Sequence, residues 1–587
     1  MKLFAFLLAI TSLVMFQSCK EDETTPAAPT IAAPGTVASV QVGTKADVTF
    51  TITAPGGFKS SAVTATGGTA TVKTPPAAGA TTGSVLVEFT AGASAGAGSV
   101  VLSLTDNGNQ STSQTAVINI VLIADTPLIG TLATQTLDAS KIYLLKGQVF
   151  IPNGVTVTIP AGTLIKGEKS SKATLIVQPG GKLVANGTAS SPVVFTSAQP
   201  VGARDRGDWG GIVLLGNAFV NQTAKPSIEG ITPTQTYGSS LAETATPATN
   251  ATENSGTLTY VRIEYAGIEL TPNNETNSLT MGGVGTGTTV SYVQVSFGGD
   301  DGFEWFGGTV NGRYLVSHSS WDDDFDTDFG WGGNVQYGLI VRNTFFADQS
   351  GSNAFESDNQ ANGNAIAGVC DGTTNTGCTR GIFSNITVIG PRDIQARPIS
   401  ANYQNAMHIR RRSSISVFNS FFSGFRIGLR IDDQGTLDNL TSGSAKHGYN
   451  VLTVPGSTAI GSTTTQSDAI FATGLSSGDA TAISTYWAAN NNASFNTIAA
   501  ITPISDLGIT GSLFWGLQTS SNYPSNPNFA LVAGVAGANN LNTGANYTDA
   551  KFTGNAFFTT TGAFRGAFGA TDWTDGWAEF QPLNKAY

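Results

Sequence analysis

The chain has 587 residues, a formal net charge of −11 and only 12% charged side chains, against about 25% in an ordinary globular domain. Seventy glycines, together with Thr, Ser and Asn, fill the gap; this is the composition of a β-rich chain with many turns and few long amphipathic helices. No basic stripe accompanies the acidic balance, which argues against a nucleic-acid partner, and the length allows more than one domain.

Residues 1–19 read MKLFAFLLAITSLVMFQSC. One lysine precedes an apolar run from Leu3 to Phe16, too short to span a bilayer but laid out as a signal peptide. Ser18 before Cys19 resembles a bacterial lipobox, in which Cys19 becomes the lipidated first residue of the mature chain. The alternative is a plain secretory signal with a chance cysteine. Several acyl chains on one residue anchor a soluble domain stably, and the membrane is the partner this end implies. The acidic cluster Lys20-Glu21-Asp22-Glu23 resembles the signal that sends some Gram-negative lipoproteins to the cell-surface leaflet of the outer membrane; a solvated linker is the bland reading. Residues 20–34 then form an acidic and Pro/Thr/Ala tether. With Cys19 assigned to lipid, Cys370 and Cys378 remain to pair as a disulfide, which an exported compartment permits; two cysteines without a nearby histidine are too few for a metal site.

Residues 35–125 contain DVTFTIT (47–53), SVLVEFT (84–90), VVLSLTD (100–106) and AVINIVLI (116–123), separated by turn residues. The pattern predicts a small immunoglobulin-like β-sandwich. It carries no cysteine and no titratable cluster, so it reads as a spacer, with carbohydrate binding as the lesser alternative.

From about Ile142 the strands shorten to three to five residues between Gly, Asn and Pro corners. LTYVRIEYAG (258–267), VSYVQVSFGG (290–299), GRYLVSHSS (312–320) and VQYGLIVRN (335–343) recur, with Tyr292, Tyr314 and Tyr337 in register 22 and 23 residues apart. That period suits a rung of three short strands, hence an all-β chain ending in a parallel β-helix, a solenoid over residues 130–587. Propeller blades need about 40 residues. Polar stretches near 222–253, 349–380 and 434–520 read as insertions, the last with short helices at 467–475 and 483–491. The aromatic, glycine-rich end (562–582) reads as a cap over the last rung, since an open end exposes strand edges.

The densest chemistry lies at 300–328, DDGFEWFGGTVNGRYLVSHSSWDDDFDTD. Eight acids (Asp300, Asp301, Glu304, Asp322, Asp323, Asp324, Asp326, Asp328) stand against Arg313 alone. A shift of 22 places Phe303 on Phe325 and Glu304 on Asp326. With the phenylalanines inside, alternation turns Glu304 and Asp326 outward, and Asp300, Asp322, Asp324 and Asp328 tend to share that face. Ala354-Phe355-Glu356 adds a third rung, and Gly424-Phe425-Arg426 places a cation at the same relative position. Stacked carboxylates repel and call for neutralisation. Ca2+, with its six to eight oxygen ligands, is the natural candidate, taking Asp300, Glu304, Asp322, Asp324, Asp326 and Asp328. Asp324-x-Asp326-x-Asp328 resembles the start of a calcium loop, but Phe329 and Val335 stand where an EF-hand needs Gly and Glu. The alternative is a solvated acidic face paired partly with arginines.

Trp305, Trp321 and Trp331 flank the acids and suit sugar rings, corner packing being the bland account. An enzyme on this face would be a polysaccharide lyase or hydrolase. Arg410, Arg411, Arg412, Arg426 and Arg430 would supply its base or carboxylate clamp, and Asp300 with Asp322 or Asp323 the carboxylate pair. His318, His408 and His447 are scattered, His318 close enough to the acids to line their groove. No nucleophile elbow, phosphate loop or zinc motif is present.

GDWGGIVLLGNA (207–218), DDGFEWFGGTVN (300–311), DDDFDTDFGW (322–331) and DWTDGW (572–577) together resemble a family of exported bacterial lipoproteins of uncharacterised function. The resemblance implies a right-handed parallel β-helix related in shape to pectate lyases, and carries no site residues with it. Polygalacturonase signatures (Gly-His-Gly, Arg-Ile-Lys) are missing, and His408-Ile409-Arg410 departs from them. Three readings follow: a calcium-stabilised, outer-membrane surface lipoprotein that binds polysaccharide or another surface partner; a β-helix lyase or hydrolase; and a structural or adhesive surface protein.

Overall fold

The computed structural model describes residues 25–587 except 33, 35–38, 122–124, 244–249, 272–273, 361, 457–467, 496–505, 518–522 and 536–539. Cys19, its signal segment and the start of the tether lie outside the described residues. The chain divides into two units, Met1–Ile123 with Ala586–Tyr587, and Ala124–Lys585.

In the first unit the alternation of the sequence becomes two four-stranded sheets. Along Lys45–Thr53, Val48, Phe50 and Ile52 are buried while the residues between them are exposed. Phe50 and Phe89 from one sheet share a core with Leu102 and Ile118 from the other. Neighbouring strands pair antiparallel, except that Val40–Gln41 runs parallel to Ser111–Val121.

The second unit is a right-handed parallel β-helix. Twenty-six of its strands form one continuous sheet that winds through three faces. One rung shows the plan: Thr289–Ser296 bends at Tyr292 to supply two faces, and Phe303–Phe306 supplies the third. The next rung repeats it with Asn311–His318, bent at Tyr314, and Phe325–Asp328. Thr289 pairs with Asn311, Phe303 with Phe325 and Gly312 with Val335; these offsets are the period of the sequence. Successive strands repeat at the ordinary interstrand spacing of about 4.8 Å.

The tyrosines make the corner. Tyr260, Tyr292, Tyr314 and Tyr337 all have left-handed φ, 50°, 55°, 58° and 64°, a strained backbone for a bulky residue. Their rings stack with centroids 4.3, 4.4 and 5.1 Å apart, each contact contributing about 0.5–1.5 kcal/mol towards that strain. Where the column ends, Asn385 and Asn419 take over the corner at φ 59° and 53°, a conformation asparagine tolerates.

The C-terminal segment departs from the expected cap. It lies along the side of the coil, over the tyrosine corner, later residues meeting earlier rungs. Asn419 Nδ2 donates to the Asn546 carbonyl, Phe564 faces Tyr337, Trp573 faces Tyr314, and Trp577 packs edge-on to Tyr292 and Tyr260. The last rungs are instead covered by a helix, Ser477–Ala489, whose Trp487 meets His447 and Phe471. Residues 434–520 also differ from expectation. Ala469–Thr473, within the segment read as a helix, is a strand that continues the coil, and the segment read at 483–491 enters the Ser477–Ala489 helix. Of the two other insertions, one holds the short hairpin Ser227–Ile228/Gln235–Thr236. The other is closed by the Cys370–Cys378 disulfide.

Trp305 and Trp331 are corrections. They are 1% and 0% exposed, inside the coil. The alternation that points Glu304 outward points Trp305 inward beside Phe303. Trp331 closes the following corner, its Nε1 donating to the Val310 carbonyl and its ring 5.1 Å from Trp305. Neither offers a face to a sugar.

Candidate functional site

Six strands of one face carry the site: β1 (Leu279–Gly282), β2 (Phe303–Phe306), β3 (Phe325–Asp328), β4 (Phe355–Ser357), β5 (Asn405–Ile409) and β6 (Ile427–Ile431). Their inward residues Leu279, Phe303, Phe325, Phe355, Met407 and Leu429 are buried and in register. The outward neighbours therefore form a second column: Thr280, Glu304, Asp326, Glu356, His408 and Arg430. Asp328 stands beside Phe306 at the edge of the same face. Three acids, a histidine and an arginine thus follow one another one rung apart, so the column runs from negative to positive.

The turns entering β2 and β3 add Asp300, Asp301, Asp322 and Asp323. Their rungs are tied by hydrogen bonds from backbone amides to the acid or amide one rung back. Asp323 N–H donates to Asp301 Oδ1 at 2.8 Å, Asn353 N–H to Asp323, and Asn405 N–H to Asn353 Oδ1 at 3.0 Å. The result is two oxygen triads, Asp300/Asp301/Asp322 and Asp301/Glu304/Asp326, each with ligand atoms within 4.8 Å of one another. Asp301 belongs to both. Asp322 Oδ1, Asp326 Oδ1 and Asn277 Oδ1 are buried without a hydrogen-bond partner.

Charge splits the face into two halves. In the positive half every carboxylate has a cation. His408 Nε2 lies 2.7 Å from Asp432 and its Nδ1 3.6 Å from Glu356; Arg410 pairs with Glu356 and, at 2.8 Å, with Asp358; Arg411 and Arg430 reach Asp358 and Asp432 at 2.6 Å. Burial alone would push Glu356 up and His408 down. Their hydrogen bonds and charges outweigh it, holding Glu356 below and His408 above the usual values.

In the negative half no acid of Asp300, Asp301, Glu304, Asp322, Asp323, Asp326 and Asp328 makes a salt bridge among the described residues. Burial, then mutual repulsion, pushes Asp300, Asp301, Glu304 and Asp326 well above the carboxylate range. Asp328 rises through burial and Asp358, and Asp322 is pushed up to about 7, mainly by burial.

Two expected positions are corrected. Asp324 turns away from the face: Ser317 donates to its Oδ1 at 2.6 Å and Arg342 Nη1 lies 3.1 Å from its Oδ2, both charges fully buried. Arg342, buried inside the coil, is the ion-pair partner that Asp324 turns towards. Arg426 is not the column's cation, because the β5–β6 register sets Arg430 on His408. The alternations Asn-Ala-Met-His-Ile and Ile-Gly-Leu-Arg-Ile were the signal for that pairing. Trp321 is half-buried at the corner before Asp322, with Arg206 3.5 Å above its ring and its Nε1 donating to Asp348 at 2.7 Å. His318 is fully buried beneath Trp515, Tyr523 and Phe580, away from the acids.

Residues 130–494 match the family described as "Pectate-lyase like beta helix domain". No curated protein and no solved structure matches the chain. The match runs over nearly the whole coil, from Thr126–Thr131 to Ala493–Phe495, and leaves out the first unit and the segment along the tyrosine corner. A coil of three parallel faces under that match makes this chain a member of the pectate-lyase-like β-helix family.

Proposed function

We propose that the negative half of the face binds a divalent cation, calcium, and that the cation and the neighbouring arginines together hold an acidic polysaccharide. The observation that carries this reading is the pair of oxygen triads sharing Asp301, set among seven acids that make no salt bridge among the described residues. The donors are all oxygen, which suits a hard cation, and the unpaired Asn277 carbonyl adds a neutral ligand. A cation held by three or four side chains keeps coordination positions open, and a uronate carboxylate would fill them. Further along the column, Arg410 and Arg411 would meet the next acidic unit, with Trp321 and Arg206 at the entry corner.

Binding without cleavage is favoured over the lyase reading. A lyase needs an unprotonated base. His408 is engaged on both ring nitrogens by Glu356 and Asp432, which raise its pKa above the usual histidine value, while Arg410, Arg411 and Arg430 are each tied to a carboxylate. The test uses the chain from Thr24 onward with polygalacturonate, alginate and a neutral glucan, in calcium or chelator, following retention and new chain ends. Expected is saturable retention of the two polyuronates in calcium, sharply reduced by chelation, without new ends. New ends would establish the lyase or hydrolase alternative, and no retention would leave the structural or adhesive role.

We further propose that the protein is a lipoprotein of the outer membrane, facing the cell surface, on the strength of the Leu3–Phe16 run ahead of Ser18-Cys19. Cys19→Ala should move it from the membrane fraction to the soluble exported fraction. A variant that stays on the membrane sinks the anchor.

A further inference from the structure

Past the corner 329–333 the coil turns away from the acids, and a second polar site opens there. The strand starts at Asn334 and Ile382, the disulfide loop at Asn375 and Thr376, and the C-terminal segment at Lys551 and Asn555 enclose a cavity of about 440 Å³. Its charge is the reverse of the acid column's. Arg380 lines it and, among the described residues, its guanidinium makes no hydrogen bond or ion pair. Lys551 joins it, giving one of its three donors to the Ser444 carbonyl at 2.7 Å.

No carboxylate lines the cavity. The nearby Asp549 is already engaged by Lys446 at 2.6 Å. Burial draws the Lys551 ammonium below its usual range, Asp549 opposes this, and the Arg380 charge adds to it, as expected where two cations share a pocket without an anion. Hydroxyls of Thr376, Ser414 and Ser444 and amides of Asn334 and Asn555 complete the walls. On a chain of net charge −11, this is a local inversion of sign, and a cleft of one sign concentrates ligands of the other.

We infer that this cavity binds a small polyhydroxylated carboxylate, the chemistry of a single uronic acid unit. The planar fork of Arg380 suits a carboxylate, which it can hold through two parallel hydrogen bonds; Lys551 supplies a point charge beside it. The hydroxyl and amide walls suit sugar hydroxyls, and the volume exceeds what an inorganic anion needs. The site requires no metal and stands apart from the acid column, so it does not rest on the cation reading.

Calorimetric titration of the chain from Thr24 onward with glucuronate, glucose and sulfate, all in chelator, tests it. Glucuronate should bind saturably, with glucose and sulfate each at least about tenfold weaker. Arg380→Gln should weaken glucuronate about tenfold or more, and Lys551→Met likewise, while Arg380→Lys, keeping charge without the fork, should fall between wild type and Arg380→Gln. Asp326→Asn, in the acid column, should leave the titration unchanged. Arg380 keeps contact with solvent, so its substitution spares the core, and unaltered melting curves would verify this. Absence of saturable glucuronate binding in chelator, equal binding of glucose or sulfate, or an unchanged affinity in Arg380→Gln would overturn the assignment.

Discussion

In chelator the β-helix should lose stability as pH rises from about 5 to about 8, and calcium should restore it most at the alkaline end. Asp322 is pushed up to about 7 and Asp324 up to about 6, and Asp300, Asp301, Glu304, Asp326 and Asp328 are raised as well. In the unfolded chain these carboxyls lose their protons near pH 4. Between that point and the folded values the native state holds more protons than the unfolded state, so stability falls as pH rises. The raised His408 acts in the same direction, its contribution being lost as pH climbs through its folded value; the buried His318 and His447, lowered to about 3 and about 4, oppose the trend up to about pH 6.5 but are outnumbered by the raised acids. Glu356 and Asp432 are lowered and ionised in both states above about pH 5, so they leave this window flat. Calcium competes with protons for the same oxygens, so its stabilising effect should be small at pH 5 and large at pH 8. Asp326→Asn or Glu304→Gln should raise the melting temperature of the chelated protein at pH 8 and reduce the calcium response. A chelated melting temperature that climbs with pH, or a calcium increment equal at both ends, would falsify the cation reading.

The buried pair behind the acid face predicts the opposite behaviour. Arg342 and Asp324 are both inaccessible to solvent, and Arg342 Nη1 also holds the Asp322 carbonyl at 2.8 Å. Arg342→Met leaves Asp324 buried without its partner and should cost about 3–5 kcal/mol at neutral pH. Arg342→Met/Asp324→Leu, which removes both charges, should cost clearly less than the two single changes added together. Asp324→Asn should keep the calcium increment, because Asp324 faces Arg342 and not the triads. Denaturant unfolding of Arg342→Met, Asp324→Leu, the double variant and Asp324→Asn, with and without calcium, decides this. An Arg342→Met loss below about 1 kcal/mol, or a calcium increment abolished by Asp324→Asn, would count against the division between the two sets of acids.

The coil was legible because its rungs are uniform where it matters. The 22-residue shift that lays Phe303 on Phe325 is the register of β2 on β3, and Phe355 follows on β4 across an insertion. Alternation then decides which side chain of a strand faces outward, as for Glu304 and Asp326. It fails at corners, where the chain leaves the pleat: Asp324 sits one residue before β3, and its direction was set by Arg342 from the adjoining face. Trp305 obeys the alternation, and its sugar-facing role had overlooked that rule. The positive half was harder to read. His408 and Arg430 join the column only after the 47 residues between Ser357 and Asn405, which hold the disulfide loop and the coil strand Ile382–Ile389, a gap that hides the register. The cavity around Arg380 was beyond reach of the sequence, since it needs Lys551, 171 positions away, brought back by the segment on the tyrosine corner.

That returning segment changes how the coil as a whole comes apart. In a solenoid whose rungs touch only their neighbours, terminal rungs fray independently and unfolding spreads inward step by step. Here a single stretch of chain touches Asn419 near one end, Tyr314 and Tyr292 in the middle, and Tyr260 and Arg204 towards the other end. A rung that opens beneath it must also release an aromatic contact or hydrogen bond to this stretch, and each such contact is continuous with the next. Distant rungs thereby share one fate, so the coil behaves as a cooperative body. Because the stretch follows every coil strand in the chain, that cooperativity arrives only after all the rungs have been made.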